Sequence, residues 1–157
     1  MKTKLLFPVA LIGLLTTSCG KDEDTIRYDF DEKTFAVQQK SWEEQKIQNY
    51  QFDQDYMAST GPVHETIVVK NGIATSTNNE NGSMLIGNIS EIYAKVLNDF
   101  EYEKEHQDLP IYGISVDVKY NETYHFPEKI EFSTLYKEQI DGGMWYDLTI
   151  SNFEILE

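Results

Sequence analysis

The sequence predicts an α+β domain with two helices and an antiparallel sheet. The expected order is α-β-β-β-α-β-β-β, which reads as two similar αβββ halves. Three observations predict it. Ile89, Ile92, Tyr93, Val96, Leu97 and Phe100 recur at steps of three and four, the apolar face of a 3.6-residue repeat. Tyr50, Phe52, Gln54 and Tyr56 alternate with polar neighbours, as do Ile114, Val116, Val118 and Tyr120, and a period of two belongs to a half-buried strand. Asn71-Gly72 stands between two β-branched runs, the strongest short hairpin signal, because a type I′ turn needs positive φ at both central residues.

Taken in order, the first helix spans Thr34 to Lys46, where Phe35 and Trp42 lie seven apart among polar residues, and Asn49 marks its stop. The first strand carries the Tyr50–Tyr56 alternation and ends at Gly61-Pro62. Thr66 to Lys70 and Ile73 to Thr77 flank the Asn-Gly turn, and the Asn/Gly/Ser-rich stretch from Thr77 to Gly87 is a loop. Asn88 opens the second helix, with Glu91 three residues on, a capping-box-like start. The charged run from Glu101 to Asp108, with Pro110, closes it. Of the last three strands, one begins after Pro127 and carries Ile130 and Phe132. Gly142-Gly143 turns the chain into the last, from Trp145 to Glu157. There the apolar parity changes between Leu148/Ile150 and Phe153/Ile155, which predicts a bulge near Ser151-Asn152.

The N-terminus carries an address. Lys2 and Lys4 make a short positive region, Leu5 to Leu15 is an apolar stretch of signal-peptide length, and Thr16-Thr17-Ser18 puts small residues before the single cysteine, Cys19. The apolar stretch is too short to span a bilayer, which takes about twenty residues. The pattern resembles the lipobox of bacterial lipoproteins, although Leu15 sits one place earlier than is commonest. The resemblance implies cleavage before Cys19 and lipid on its sulfur. The alternative is an ordinary signal peptide with an incidental free thiol. The domain plan is therefore a signal peptide at 1–18, a lipidated and acidic flexible tether at 19–33, and one α+β domain at 34–157. Within the tether, Lys21, Asp22, Glu23 and Asp24 resemble the export tag of surface lipoproteins in some Gram-negative bacteria. Asp24-Thr25-Ile26 resembles a short O-glycosylation signal centred on Thr25. Together these imply an outer-membrane lipid anchor, at the cell surface in preference to the periplasmic face.

Removing residues 1–18 from 157 leaves 139, one domain's worth. Lys2 and Lys4 leave with the signal, so 13 basic residues become 11 against 27 acidic ones, and the net charge moves from −14 to −16. Nucleic acid and anionic membrane are unsuited to such a surface, since both select basic patches. Ten Tyr, eight Phe and two Trp give a domain without a disulfide the bulk for a core.

Ordered landmarks run through the chain: Trp42, Ile47, Tyr50 and Phe52; Val68-Val69-Lys70-Asn71-Gly72; Ile89 to Tyr93; Val118-Lys119-Tyr120-Asn121; and Phe126-Pro127-Glu128-Lys129-Ile130. Over residues 40–155 they resemble a family of uncharacterised bacterial lipoproteins, the domain of unknown function numbered six-one-seven-four. Members often carry cysteines after the first strand, and a Gly-Tyr-Pro where this chain has His125-Phe126-Pro127. The resemblance implies fold and address but no activity.

No residue set compels a chemistry. His64, His106 and His125 are scattered with no i, i+4 pair, and a metal site needs three or four converging ligands. His64 and His125 could meet only across a sheet. Asp53 and Asp55 read as a solvated strand face, without the twelve-residue loop that calcium favours. The serines form no Gly-x-Ser-x-Gly elbow, and no glycine-rich phosphate loop occurs. The expectation is therefore no catalytic residue, no metal ligand and no cofactor. Six aromatics crowd the C-terminal half: Tyr112, Tyr120, Tyr124, Tyr136, Trp145 and Tyr146. Sharing the sheet's outer face, they would form a platform for a glycan, peptide or protein; the alternative is core packing and ordinary cross-strand pairs. The leading expectation is a non-enzymatic, membrane-anchored binding module with an unknown protein or glycan partner. A periplasmic inhibitor or chaperone-like envelope factor is the second reading, and a metal-dependent or glycan-processing enzyme the third.

Overall fold

A computed structural model describes residues 25–76, 87–106, 109–140 and 143–157. It contains strand β1 (Arg27–Phe30), helix α1 (Glu32–Glu44), strands β2 (Tyr50–Ala58), β3 (Gly61–Lys70) and β4 (Ile73–Ser76), helix α2 (Ile89–Glu105), and strands β5 (Ile111–Tyr120), β6 (Pro127–Tyr136) and β7 (Trp145–Ile155). One seven-stranded sheet runs β1-β5-β6-β7-β2-β3-β4.

This corrects the expected α-β-β-β-α-β-β-β order and the all-antiparallel sheet. An additional strand, β1, precedes α1 and pairs parallel with β5, in the register Arg27–Gly113 to Phe30–Val116, so the sheet is mixed. The cause lies in two aromatics inside the acidic stretch assigned to the tether. The Phe30 ring meets Phe35 at 5.1 Å and Phe100 at 5.0 Å, and Tyr28 meets Phe100 at 6.0 Å. Gly113 permits the approach, because a Cβ there would stand 2.2 Å from the Arg27 carbonyl oxygen. Residues 27–33, expected as flexible tether, thus belong to the domain as strand and helix start.

Local chemistry accounts for the elements. Asp31 caps α1 by accepting from the Thr34 amide at 3.0 Å, and that bond holds its carboxyl below the usual range. Phe35 and Trp42 are the residues α1 buries. Asn88 and Glu91 complete a reciprocal capping box at the start of α2, which buries Ile89, Ile92, Tyr93, Val96 and Phe100. Asn71 and Gly72 have φ of 51° and 77°, the geometry of a type I′ turn. In the β2–β7 pair, Gln51 faces Glu154 while Asp53 faces Ser151, so β7 holds one extra residue. Asn152, with φ of 51°, absorbs it as a bulge.

Both helices cover one sheet face. Phe35 packs on Tyr93 between them, and Trp42 packs on Tyr50, Phe126 and Phe153. The Tyr93 hydroxyl donates to the His125 carbonyl at 2.5 Å and ties α2 to the β5–β6 loop. Gln54 and Glu65, opposite one another on β2 and β3, are buried polar exceptions in this core.

Candidate functional site: an aromatic cleft at one end of the sheet

The outer sheet face is organised in cross-strand rows. Asp117, Glu131 and Asp147 lie directly opposite one another on β5, β6 and β7, and Lys129 bridges to Glu131. The Glu131 hydrogen bond and charge, with Asp147 and Asp117 behind, raise the Lys129 ammonium pKa. In the neighbouring row, Lys129 stands beside Thr149, then Asp55, then His64. His64 Nδ1 lies 2.6 Å from the Asp55 carboxylate, which raises the imidazole pKa. Asp53 accepts from Asn152 at 2.7 Å and from Thr66 at 2.6 Å, and those bonds lower its pKa. This part of the face is solvated and charged, held by the Lys129–Glu131 and His64–Asp55 pairs and the Asp53 hydrogen bonds.

The six aromatics do not share that face. Tyr146 is 1 % exposed on the helix side, stacked on Phe132 at 5.1 Å with the Lys95 ammonium 4.7 Å from its ring. Burial, reinforced by the Asp99 carboxylate, pushes its hydroxyl far above the ordinary phenol range. That hydroxyl closes no hydrogen bond of ordinary geometry among the described residues. Tyr120 is half-buried against Phe35, and burial raises its pKa strongly too. Tyr124 is half-buried against Phe153, with ring centroids 5.0 Å apart.

Tyr112, Tyr136 and Trp145 do come together, in an open cleft of about 520 Å³ also lined by Ser133, Leu135 and Gln139. The starts of β5 and β7 and the end of β6 supply it. Tyr112 and Trp145 are 59 % and 39 % exposed, and Leu135 is 51 % exposed. Tyr136 is fixed as a wall: its hydroxyl donates to Glu103 of α2 at 3.3 Å and accepts from the Met144 amide at 3.4 Å. Gly143 lets that ring lie against backbone, since a Cβ there would stand 2.6 Å from it. Sequence reasoning missed Leu135, although it is an apolar residue at an outward position of a strand that otherwise alternates correctly. The cleft can take an apolar or ring-shaped group; it presents no assembled nucleophile and base.

A second cavity of about 330 Å³ lies where α1, the β3–β4 turn and the α2 start meet. Several of its polar groups bond to one another. Trp42 donates to Ser90 at 3.3 Å, the Ile89 amide donates to the Tyr50 hydroxyl at 3.1 Å, and the Asn88 side-chain amide donates to the Gly72 carbonyl at 2.8 Å. Burial pushes the Tyr50 hydroxyl up to about 12. This is a structural joint.

His64 and His125 do not converge. His125 lies 2.9 Å from Gln38 of α1, on the helix side, while His64 stands on the outer face with Asp55. His106 stacks on Tyr102 at 4.4 Å. Among the described residues no group of three His, Cys, Asp or Glu could hold a metal ion. Thr25 is exposed just before β1. Cys19 and the Lys21, Asp22, Glu23 and Asp24 run lie outside the described residues.

The model of a family of unknown function, DUF6174, matches residues 34–155, and the chain belongs to that family. Comparison with curated proteins and with solved structures finds no match.

Proposed function

We propose, with that family membership as premise, that the chain is a non-enzymatic interaction module held by lipid on Cys19 and displayed at the cell surface. The observation that carries the interaction role is the cleft. Exposed Tyr112, Leu135 and Trp145 surround it, whereas the rest of the outer face carries mainly charged and polar side chains, among them the Lys129–Glu131 and His64–Asp55 pairs, with Met57 as an exposed apolar exception. Solvent-exposed aromatics grouped about a concavity concentrate binding energy. The anchor reading is supported by the apolar Leu5–Leu15 stretch ending at a single cysteine. Surface display is supported by the Lys21–Asp24 run, and modification of Thr25 by its exposure.

The test is protease treatment of intact cells, with lysed cells and a Cys19→Ala variant as controls. The proposal expects digestion of the domain on intact cells, and incorporation of labelled fatty acid into the native chain but not into the Cys19→Ala chain. Protection until lysis sinks the surface reading, and equal labelling of the two chains sinks the anchor. A chain carrying Tyr112→Ser and Leu135→Ser is expected to keep its fold and lose its interaction.

A further inference from the structure

We infer that the occupant of the aromatic cleft is the lipid surface to which the chain is tethered, so that the domain docks by this end and presents the opposite end to the surroundings. The inference rests on the anchor reading above and names the partner of the same site.

Strand direction carries the argument. β1 runs parallel to β5, and its first residue, Arg27, lies opposite Gly113, the neighbour of Tyr112. In the β6 and β7 registers, Leu135 pairs with Gly113 and Trp145 with Ser133. The chain therefore enters the domain at the end of the sheet that holds the cleft. Seven residues lie between Cys19 and Arg27, and the eight steps reach at most about 26–29 Å fully extended at ~3.3–3.6 Å per residue. A domain on so short a leash has this end nearest the bilayer.

One group of exposed apolar side chains gathers at this end, although Ile73, the most exposed at 71 %, stands at the other. Leu109 (45 %) joins Tyr112, Leu135 and Trp145 at the entry end. At the other end, Ile73 and Ile155 occupy separate positions on β4 and β7. Tyr and Trp suit the depth of lipid headgroups, where a ring meets acyl chains and its polar atom stays wet. The Lys137 ammonium lies 6.0 Å from the Tyr112 ring at the same end. The acidic surface selects a zwitterionic interface over an anionic one. Weak docking suffices, since a short tether supplies an effective concentration of about a millimolar.

The test couples the chain lacking residues 1–18 through Cys19 to a maleimide lipid in phosphatidylcholine–phosphatidylethanolamine vesicles. Trp42 is 4 % exposed, so added quenchers report on Trp145. The expected result is a blue shift on coupling, quenching by brominated acyl chains, and a several-fold fall in acrylamide quenching against the uncoupled chain. The Tyr112→Ser/Leu135→Ser chain should keep its circular dichroism spectrum and lose most of that protection. Equal acrylamide access with and without coupling overturns the inference and leaves the cleft open to a soluble glycan or protein. Chemical coupling makes this outcome independent of natural lipidation. A native chain whose mass shows Cys19 without a diacylglyceryl group would instead overturn the anchor reading.

Discussion

Gly113→Ala tests whether the parallel edge strand belongs to the folded domain. The added methyl would stand 2.2 Å from the Arg27 carbonyl oxygen, about 1 Å inside ordinary carbon–oxygen contact. Gly113 does not have a positive φ, so the penalty comes from this approach and not from backbone strain. Two responses are open. The sheet could absorb the methyl by distortion, at about 1–3 kcal/mol for an overpacked site. Alternatively β1 could detach, which forfeits the half-buried Phe30 ring against Phe35 and Phe100 and the partial cover of Tyr28. Burial of those rings is worth about 2–4 kcal/mol, offset by freedom returned to four backbone residues. Either route gives a loss of about 2 kcal/mol, or a fall in Tm of roughly 6–12 °C for a domain of this size. Thermal unfolding measures the loss, and hydrogen exchange separates the routes: detachment unprotects residues 27–30 and the β5 edge while β2, β6 and β7 stay protected. A Gly113→Ala chain with unchanged Tm and protected 27–30 amides would refute the packing of β1 on β5.

Tyr93→Phe removes the donor to the His125 carbonyl and should cost about 1–2 kcal/mol in denaturant unfolding; no change would mean that water replaces it without loss. Gln54 is 1 % exposed and neither amide atom has a partner among the described residues, so Gln54→Leu should raise stability by about 1–2 kcal/mol. A lower unfolding midpoint for that variant would show that the amide is satisfied in solution. His64 should titrate above 6.5 by NMR, because its bond to Asp55 favours the imidazolium, and Asp55→Asn should remove the rise. A raised folded-state pKa means that this pair's contribution is complete below 6.5 and fades as pH climbs through the raised value. Asp53 behaves oppositely: its contribution is present above 3.8 and fades as pH falls through its lowered value. A His64 midpoint that ignores Asp55→Asn would contradict the geometry.

Features set by neighbouring residues were legible in the sequence. The Asn88–Glu91 box, the Asn71-Gly72 turn and the β7 bulge each follow from a few adjacent side chains. β1 was not, because four residues with two aromatics make too short a pattern, and its identity as a strand comes from pairing with β5 far along the chain. The aromatic residues were half legible. Tyr146 shares parity with Leu148 and Ile150, and Tyr120 with Ile114 and Val116, so alternation assigns both to the helix side; it would assign Tyr112 there too, but the β5–β6 register shifts between Ile111 and Gly113 and leaves Tyr112 exposed. Alternation does not say that the ends of β5, β6 and β7 coincide in space, and that alignment makes a cleft from Tyr112, Leu135, Tyr136 and Trp145.

The position of β7 bears on when the domain can fold. The last strand lies in the middle of the sheet, between β6 and β2, and joins the two three-stranded runs. Its pairing of Ile155 with Tyr50 closes a loop of roughly a hundred residues, a contact that is slow to form and that waits for almost the whole polypeptide. A chain emerging N-terminus first can make the β2–β3–β4 hairpins early, yet those strands have no neighbour on the β2 side until the C-terminus arrives. Such a sheet closes only after its final dozen residues are free.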